Sequence, residues 1–162
     1  MQKLTFLNTR EKKKIIDELK ELYGFSGEIE GALLLSSKQK LYLLTKEIAL
    51  IDKKEEKELR IDSAGLYIGR VEHEGIRLSI EGSQIIGLHS TKHVLEIDKE
   101  HLEAWVKGEE FSLSEEEQKK TSNEEGFFII KFANDYLGCG QIKKGNVRSL
   151  VSKERRLKVL NR

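Results

Sequence analysis

The period of the apolar positions changes several times along this chain. Between Asn8 and Gly24, Ile15, Ile16, Leu19 and Leu22 recur at i, i+1, i+4 and i+7, which builds one apolar face on a helix. Asn8 stands where an N-cap is needed, Glu11 follows three residues later, and Gly24 is a stop signal. Downstream the period shortens. "GALLLSS" and "KLYLLT" predict two strands joined around Ser37-Lys38-Gln39. "KEIALID" fits a short helix or a strand end, and "KKEEKEL" predicts a charged surface segment. In "GLYIGRVEHEGIRLSIEG", Leu66, Ile68 and Arg70 alternate with Tyr67, Gly69 and Val71. Ile76, Leu78 and Ile80 alternate on the return, so the stretch predicts a hairpin turning at Glu74-Gly75. "SQIIGLHS" predicts a short helical turn.

Small and polar residues cluster at positions 87–92, where we expect a domain boundary. Beyond it, "HVLEID" reads as a strand. "KEHLEAWVKG" reads as a helix, with Leu102, Trp105 and Val106 on one face, Asp98 as cap and Gly108 as stop. "EEFSL" predicts a short strand, and "SEEEQKKTSNEEG", poor in apolar residues, an exposed loop. "GFFIIKF" is apolar at almost every position and predicts a buried strand. "YLGCGQI" and "VRSLVSK" predict two more strands around a turn at Lys144-Gly145-Asn146. The second half thus reads as short strands around one helix, closing into a β architecture. The βαβαβ rhythm of a doubly wound sheet is missing.

Composition narrows the classes. The 162 residues suffice for one ordinary domain or two small ones, and 38% hydrophobic with 35% charged residues describes a globular chain with a heavily charged surface. The lone Cys139 leaves no intrachain disulfide and no cysteine zinc site, and points to a reducing, cytoplasmic compartment. "MQKLTFLNTREKKK" lacks the apolar core of a signal peptide, and no apolar run approaches ~20 residues, so neither secretion nor a membrane span is expected.

The net charge of +1 hides an asymmetry. Residues 131–162 hold nine Lys/Arg against two acids, a net of +7, whereas residues 109–125 hold seven acids against two lysines, a net of −5. Such a split concerns partners rather than fold. The GCG at Gly138 to Gly140 is not a dinucleotide fingerprint, there is no phosphate-binding P-loop, and no cofactor is expected. His73, His89, His93 and His101 show no zinc-type spacing on a helix, so no metal is expected. Cys139 reads as a small buried residue rather than a nucleophile, and no carboxylate pair stands out, so the chain is expected to be no enzyme.

The basic tail admits two readings. As a phosphate-binding surface, Lys143 and Lys144 precede the turn, and Lys153, Arg155, Arg156 and Lys158 follow the last strand. Gly138 and Gly140 would then let a nucleic-acid backbone approach closely. As a solvated strand edge, the same cations block aggregation or pair with the acidic 109–125 segment. Phe132 belongs in the core; Tyr136 fits either the core or a base-stacking position.

At these residues a family resemblance emerges. "LEIDKEHLEAWVKGEEF" and "GFFIIKFANDYLGCGQIKKGNVRSLVSKERR" resemble the PUA-like RNA-binding domain at the C-terminus of the NOL/NOP/Sun family of RNA cytosine-5 methyltransferases. The matching positions are Trp105, Gly108, Gly138, Gly140, Gly145, Arg148, Lys153 and Arg156. Where that family usually has Tyr-Pro-Lys, this chain has Val151-Ser152-Lys153. The first half is similar to the pre-PUA domain of small archaeal and eukaryotic ribosome-biogenesis factors, through Gly65, Gly69, Arg70, Gly75, Arg77, Leu78 and Ile80.

The resemblance implies an α+β chain, with a pre-PUA-like α/β domain at residues 1–88 and a PUA-like β-barrel at residues 91–162. It implies a non-catalytic RNA-binding adaptor in rRNA maturation or ribosome biogenesis, its partner an rRNA or tRNA-like RNA. Gly138, Gly140, Lys143, Lys144, Arg148, Lys153, Arg155, Arg156 and Lys158 would hold the RNA. It also implies a protein partner for the N-terminal domain. The alternative is an interaction module that recruits a separate RNA-modifying enzyme.

Overall fold

The computed structural model describes residues 3–44 and 65–156. "KEIALID", "KKEEKEL" and Lys158 lie outside the described residues.

The first half is an antiparallel five-stranded sheet whose order follows the chain: β1 (Leu4–Phe6), β2 (Ala32–Ser36), β3 (Lys40–Leu44), β4 (Leu66–Glu72) and β5 (Gly75–Leu78). Helix α1 (Thr9–Tyr23) connects β1 to β2. The Asn8 side chain accepts from the Glu11 backbone N–H at 2.9 Å, and Gly24 closes the helix in the left-handed conformation. The face so framed buries Ile15, Leu19 and Tyr23. The Tyr23 hydroxyl donates to the Ile76 carbonyl at 2.6 Å, which ties α1 to β5. The expected hairpin is present, but it turns at His73-Glu74, with Gly75 already on the return strand, which ends at Leu78. Ile80 is not on that strand. Ser79 caps a new helix, α2 (Ile80–Gly87), by accepting from the Gly82 N–H, and this local hydrogen bond ends the extended backbone.

The second half is another five-stranded sheet, ordered β6 (Val94–Glu96), β8 (Gly126–Phe132), β9 (Asp135–Lys143), β10 (Asn146–Ser149) and β7 (Phe111–Ser112). β6 runs parallel to β8, and the remaining pairs are antiparallel. Helix α3 (Lys99–Lys107) follows β6, capped by Asp98 and stopped by Gly108 as expected. The sheet curls into a half-barrel. Among the described residues its edge strands β6 and β7 do not pair with each other, so the closed barrel is not what is found.

Two further expectations are corrected. The loop expected at "SEEEQKKTSNEEG" contains helix α4 (Glu115–Lys120). Its start is a reciprocal capping box: Ser114 accepts from the Glu117 N–H while the Glu117 carboxylate accepts from the Ser114 N–H. The last strand stops at Ser149, and a 3₁₀ turn occupies Lys153–Arg155.

β8 explains how the halves fit. It is apolar on both faces, the mark of a strand covered on both sides. Phe127 and Ile129, with Cys139 of β9, join Ile15, Leu19, Tyr23, Ile68, Ile76 and Ile86 in one core. Phe128 and Ile130 point the other way, into a second core with Trp105, Ile142 and Val147.

Candidate nucleic-acid interface

The β9–β10 hairpin carries the first group of cations. Its register pairs Lys143 with Asn146 and Gln141 with Arg148, so these four side chains share one face. Lys143 and Arg148 stand diagonally across it, as neighbours roughly 7–8 Å apart. Both are exposed, as is Lys144 in the turn. The opposite face holds Ile142, Val147 and Ser149, all buried, which commits the cations to the outside. The turn is held from behind: the Leu113 N–H donates to the Gly145 carbonyl at 2.8 Å, and the Lys144 N–H donates to Glu125 Oε1 at 3.1 Å.

The second group is on the tail, and its members differ. Lys153 is exposed, with no acidic partner among the described residues. Arg155 reaches across to the other half, where its Nη1 ion-pairs with Glu81 Oε1. Arg156 folds back: its Nε donates to the Val151 carbonyl at 3.0 Å and its Nη2 to the Ser149 carbonyl at 3.3 Å. Its guanidinium packs over Gly108 at the end of α3. Arg156 is therefore a clamp on the tail, and Arg155 a bridge between halves. Among the described residues no cationic side chain of the tail pairs with an acid of the 109–125 segment; Lys144 meets Glu125 through its backbone N–H only.

Gly138 and Gly140 do not form an open bend. They lie in the middle of β9 and are buried. A Cβ at Gly138 would come within 2.8 Å of Val151 Cγ2, and one at Gly140 within 3.1 Å of Trp105 Cζ3. Gly138 also has φ +141°, a backbone that side chains strain to adopt. The missing Cβ atoms make room for Trp105 and Val151, not for a ligand. Tyr136 is packed too, its ring against Gly87 of α2 and with Lys131 Nζ 5.5 Å from the ring centroid. Phe132 is half-buried against the second core.

Cys139 is enclosed, and burial pushes its thiol up to about 11, far from a nucleophilic thiolate. Asp98, His101 and Glu117 bring one potential ligand atom each to within 4.8 Å of one another, a grouping absent from the sequence reading. Asp98 is already engaged with the His101 N–H as the cap of α3, and His101 Nε2 with the Glu117 carboxylate at 3.1 Å. The three therefore serve to tie α4 to α3.

The sequence reading also missed a cleft of about 160 Å³ between the halves. Tyr67, Arg77 and Ser79 line one side of it, and Leu150, Ser152 and Arg155 the other. Burial raises the Tyr67 hydroxyl above its ordinary pKa, an effect partly opposed by the nearby Arg77 guanidinium.

An outward basic hairpin thus stands on a curled five-stranded sheet, with a tryptophan-bearing helix packed on its glycines. Residues 92–157 match the family model described as the methyltransferase RsmF PUA domain. That segment is a PUA-like domain resembling the one in Sun-family methyltransferases, and it points to RNA as the class of ligand. The match covers the PUA domain and no catalytic domain. A comparison with curated proteins gives no match. Among the described residues no helix is long and apolar enough to cross a membrane.

Proposed function

We propose that this chain is a non-catalytic RNA-binding adaptor that holds RNA phosphates on its C-terminal PUA-like domain, residues 91–162, and serves rRNA maturation or ribosome biogenesis in the cytoplasm. The observation that carries the reading is the coincidence of the PUA match with the exposed cations Lys143, Lys144, Arg148 and Lys153. Each cation laid on a phosphate releases counterions, so affinity should fall steeply with salt. Residues 1–88 would form the other unit and contact a protein partner. No observation raises the recruiting-module alternative above this reading.

The test is fluorescence anisotropy with single-stranded and hairpin RNA across a salt series. Wild type is compared with Lys143→Gln/Lys144→Gln/Arg148→Gln and, separately, with Arg156→Ala. The triple variant should lower the salt slope by roughly 0.7 per lost contact on single strands while remaining as stable as wild type. Arg156→Ala should instead lower stability by about 1–2 kcal/mol, through two lost hydrogen bonds to carbonyls. RNA binding absent at low salt, or a triple variant with an unchanged slope, would refute the assignment.

A further inference from the structure

The face of the first sheet turned away from the shared core buries Leu34 and Leu44, with Tyr42 packed against them, and beside this cluster it carries an arrangement that packing alone does not explain. Lys40 of β3 lies directly opposite Arg70 of β4, and Arg70 directly opposite Arg77 of β5. Three cations thus form one row across three adjacent strands, within about 10 Å at the usual strand spacing. Like charges directly opposite one another destabilise a sheet. One acid, Glu72, shares the face and meets Arg77 at 3.4 Å. Among the described residues Lys40 and Arg70 have no acidic partner.

Aromatic rings adjoin the row. The pairing of β3 with β4 shifts between Leu41 and Tyr42, so that Gly69 faces Leu41, Tyr67 faces Tyr42, and Ile68 is the extra residue. The bulge brings Tyr67 onto the face of Arg70, although the two are three residues apart. Lys40 Nζ lies 5.7 Å from the centre of the Tyr67 ring, and Tyr67 and Tyr42 stand 5.5 Å apart, tilted by 50°. Cations interleaved with partly exposed aromatic rings are what a single-stranded nucleic acid requires: phosphate neutralisation along the backbone and a surface on which bases stack.

The row also leads toward the C-terminal domain. Arg77 and Tyr67 line the cleft whose far wall is Ser152 and Arg155, directly beside Lys153.

We infer that the face of β3, β4 and β5 bearing this row is a second RNA contact, on which Lys40, Arg70 and Arg77 hold phosphates and Tyr67, backed by Tyr42, receives a base of a single-stranded segment that continues across the cleft to the PUA-like domain. The inference rests on the RNA-binding reading above and extends it to the first half of the chain. Relief of cationic repulsion by the bound polyanion explains why the row is tolerated.

The experiment uses the full chain carrying Lys40→Gln/Arg70→Gln, with labelled oligouridine as probe, a salt series, and thermal unfolding in parallel. Arg77 is left in place because it pairs with Glu72. The expected result is a salt slope lower by about 1.4, two contacts' worth, with thermal stability equal to or above that of wild type. An unchanged slope in this variant, beside a reduced slope in the Lys143/Lys144/Arg148 variant, would overturn the second contact and leave the RNA-binding assignment standing. Loss of stability with an unchanged slope would make the row structural and also overturn it. Wild-type binding to poly-glutamate but not to RNA, abolished by the same pair of changes, would reassign the face to an acidic protein segment. No RNA binding by any form would remove both readings together.

Discussion

The strongest single test of the site's architecture is Gly138→Ala. At φ +141° an alanine is strained, at a cost on the order of 1–3 kcal/mol. Its Cβ would also meet Val151 Cγ2 at 2.8 Å, and overpacking of this kind adds roughly 1–3 kcal/mol. Val151 is half-buried at the start of the tail and can give way in part, so about 2–4 kcal/mol is the expected total. For a chain of 162 residues this lowers the midpoint of thermal unfolding by roughly 5–15 °C. The assay is thermal unfolding followed by the emission of Trp105, the only tryptophan, with circular dichroism in parallel. Trp105 lies 3.5 Å from the same Cβ position, so its emission reports on the perturbed site directly. Gly140→Ala, with its Cβ at 3.1 Å from Trp105, should cost less, about 1–2 kcal/mol. If both variants unfold at the wild-type temperature and yet lose RNA affinity, the glycines face a ligand, and the packing argument is wrong.

Further predictions concern the shared core. Tyr23→Phe leaves the buried Ile76 carbonyl without its donor and should cost about 1–3 kcal/mol, seen as a lower urea midpoint at unchanged m. Burial raises Cys139 from 9.0 to about 11, so the folded state keeps its proton where the unfolded chain has lost it. The associated stability is intact below pH 9 and is lost as the pH climbs toward 11, by roughly 2–3 kcal/mol in all. Urea titrations between pH 8 and 11 should show this fall. Cys139→Ala should flatten it without abolishing it, since the Tyr23 hydroxyl is raised in the same direction.

Much of the local structure was legible because it is written in short-range chemistry. Asn8 with Glu11, Asp98 and the glycines after each helix mark α1 and α3, and the unbroken apolar run of β8 marks a strand covered on both sides. What was missed needed either weaker local signals or long-range pairing. α4 has no buried residue and so no apolar face, and only its capping box, Ser114 to Glu117, announces it. Ile80 continues the alternation of the hairpin, and the Ser79 cap overrides it. The site was half legible. A basic C-terminus is visible in a charge count, but the same count cannot separate Arg156, spent on two carbonyls, from Lys153, which is exposed. The row of Lys40, Arg70 and Arg77 is invisible in sequence because it exists only through register, and the placement of Tyr67 beside it depends on one extra residue, Ile68.

The two-sided burial of β8 has a consequence for the energetics of recognition. Phe127, Ile129 and Cys139 belong to the PUA-like half by sequence but complete the core beneath α1. Neither half can turn on the other without exposing that core to water, so the chain should unfold in one cooperative step. The relative orientation of the two basic surfaces is then set at folding, before any RNA arrives. A strand laid across both would meet a rigid template, and little orientational entropy would remain to be lost when the second surface engages.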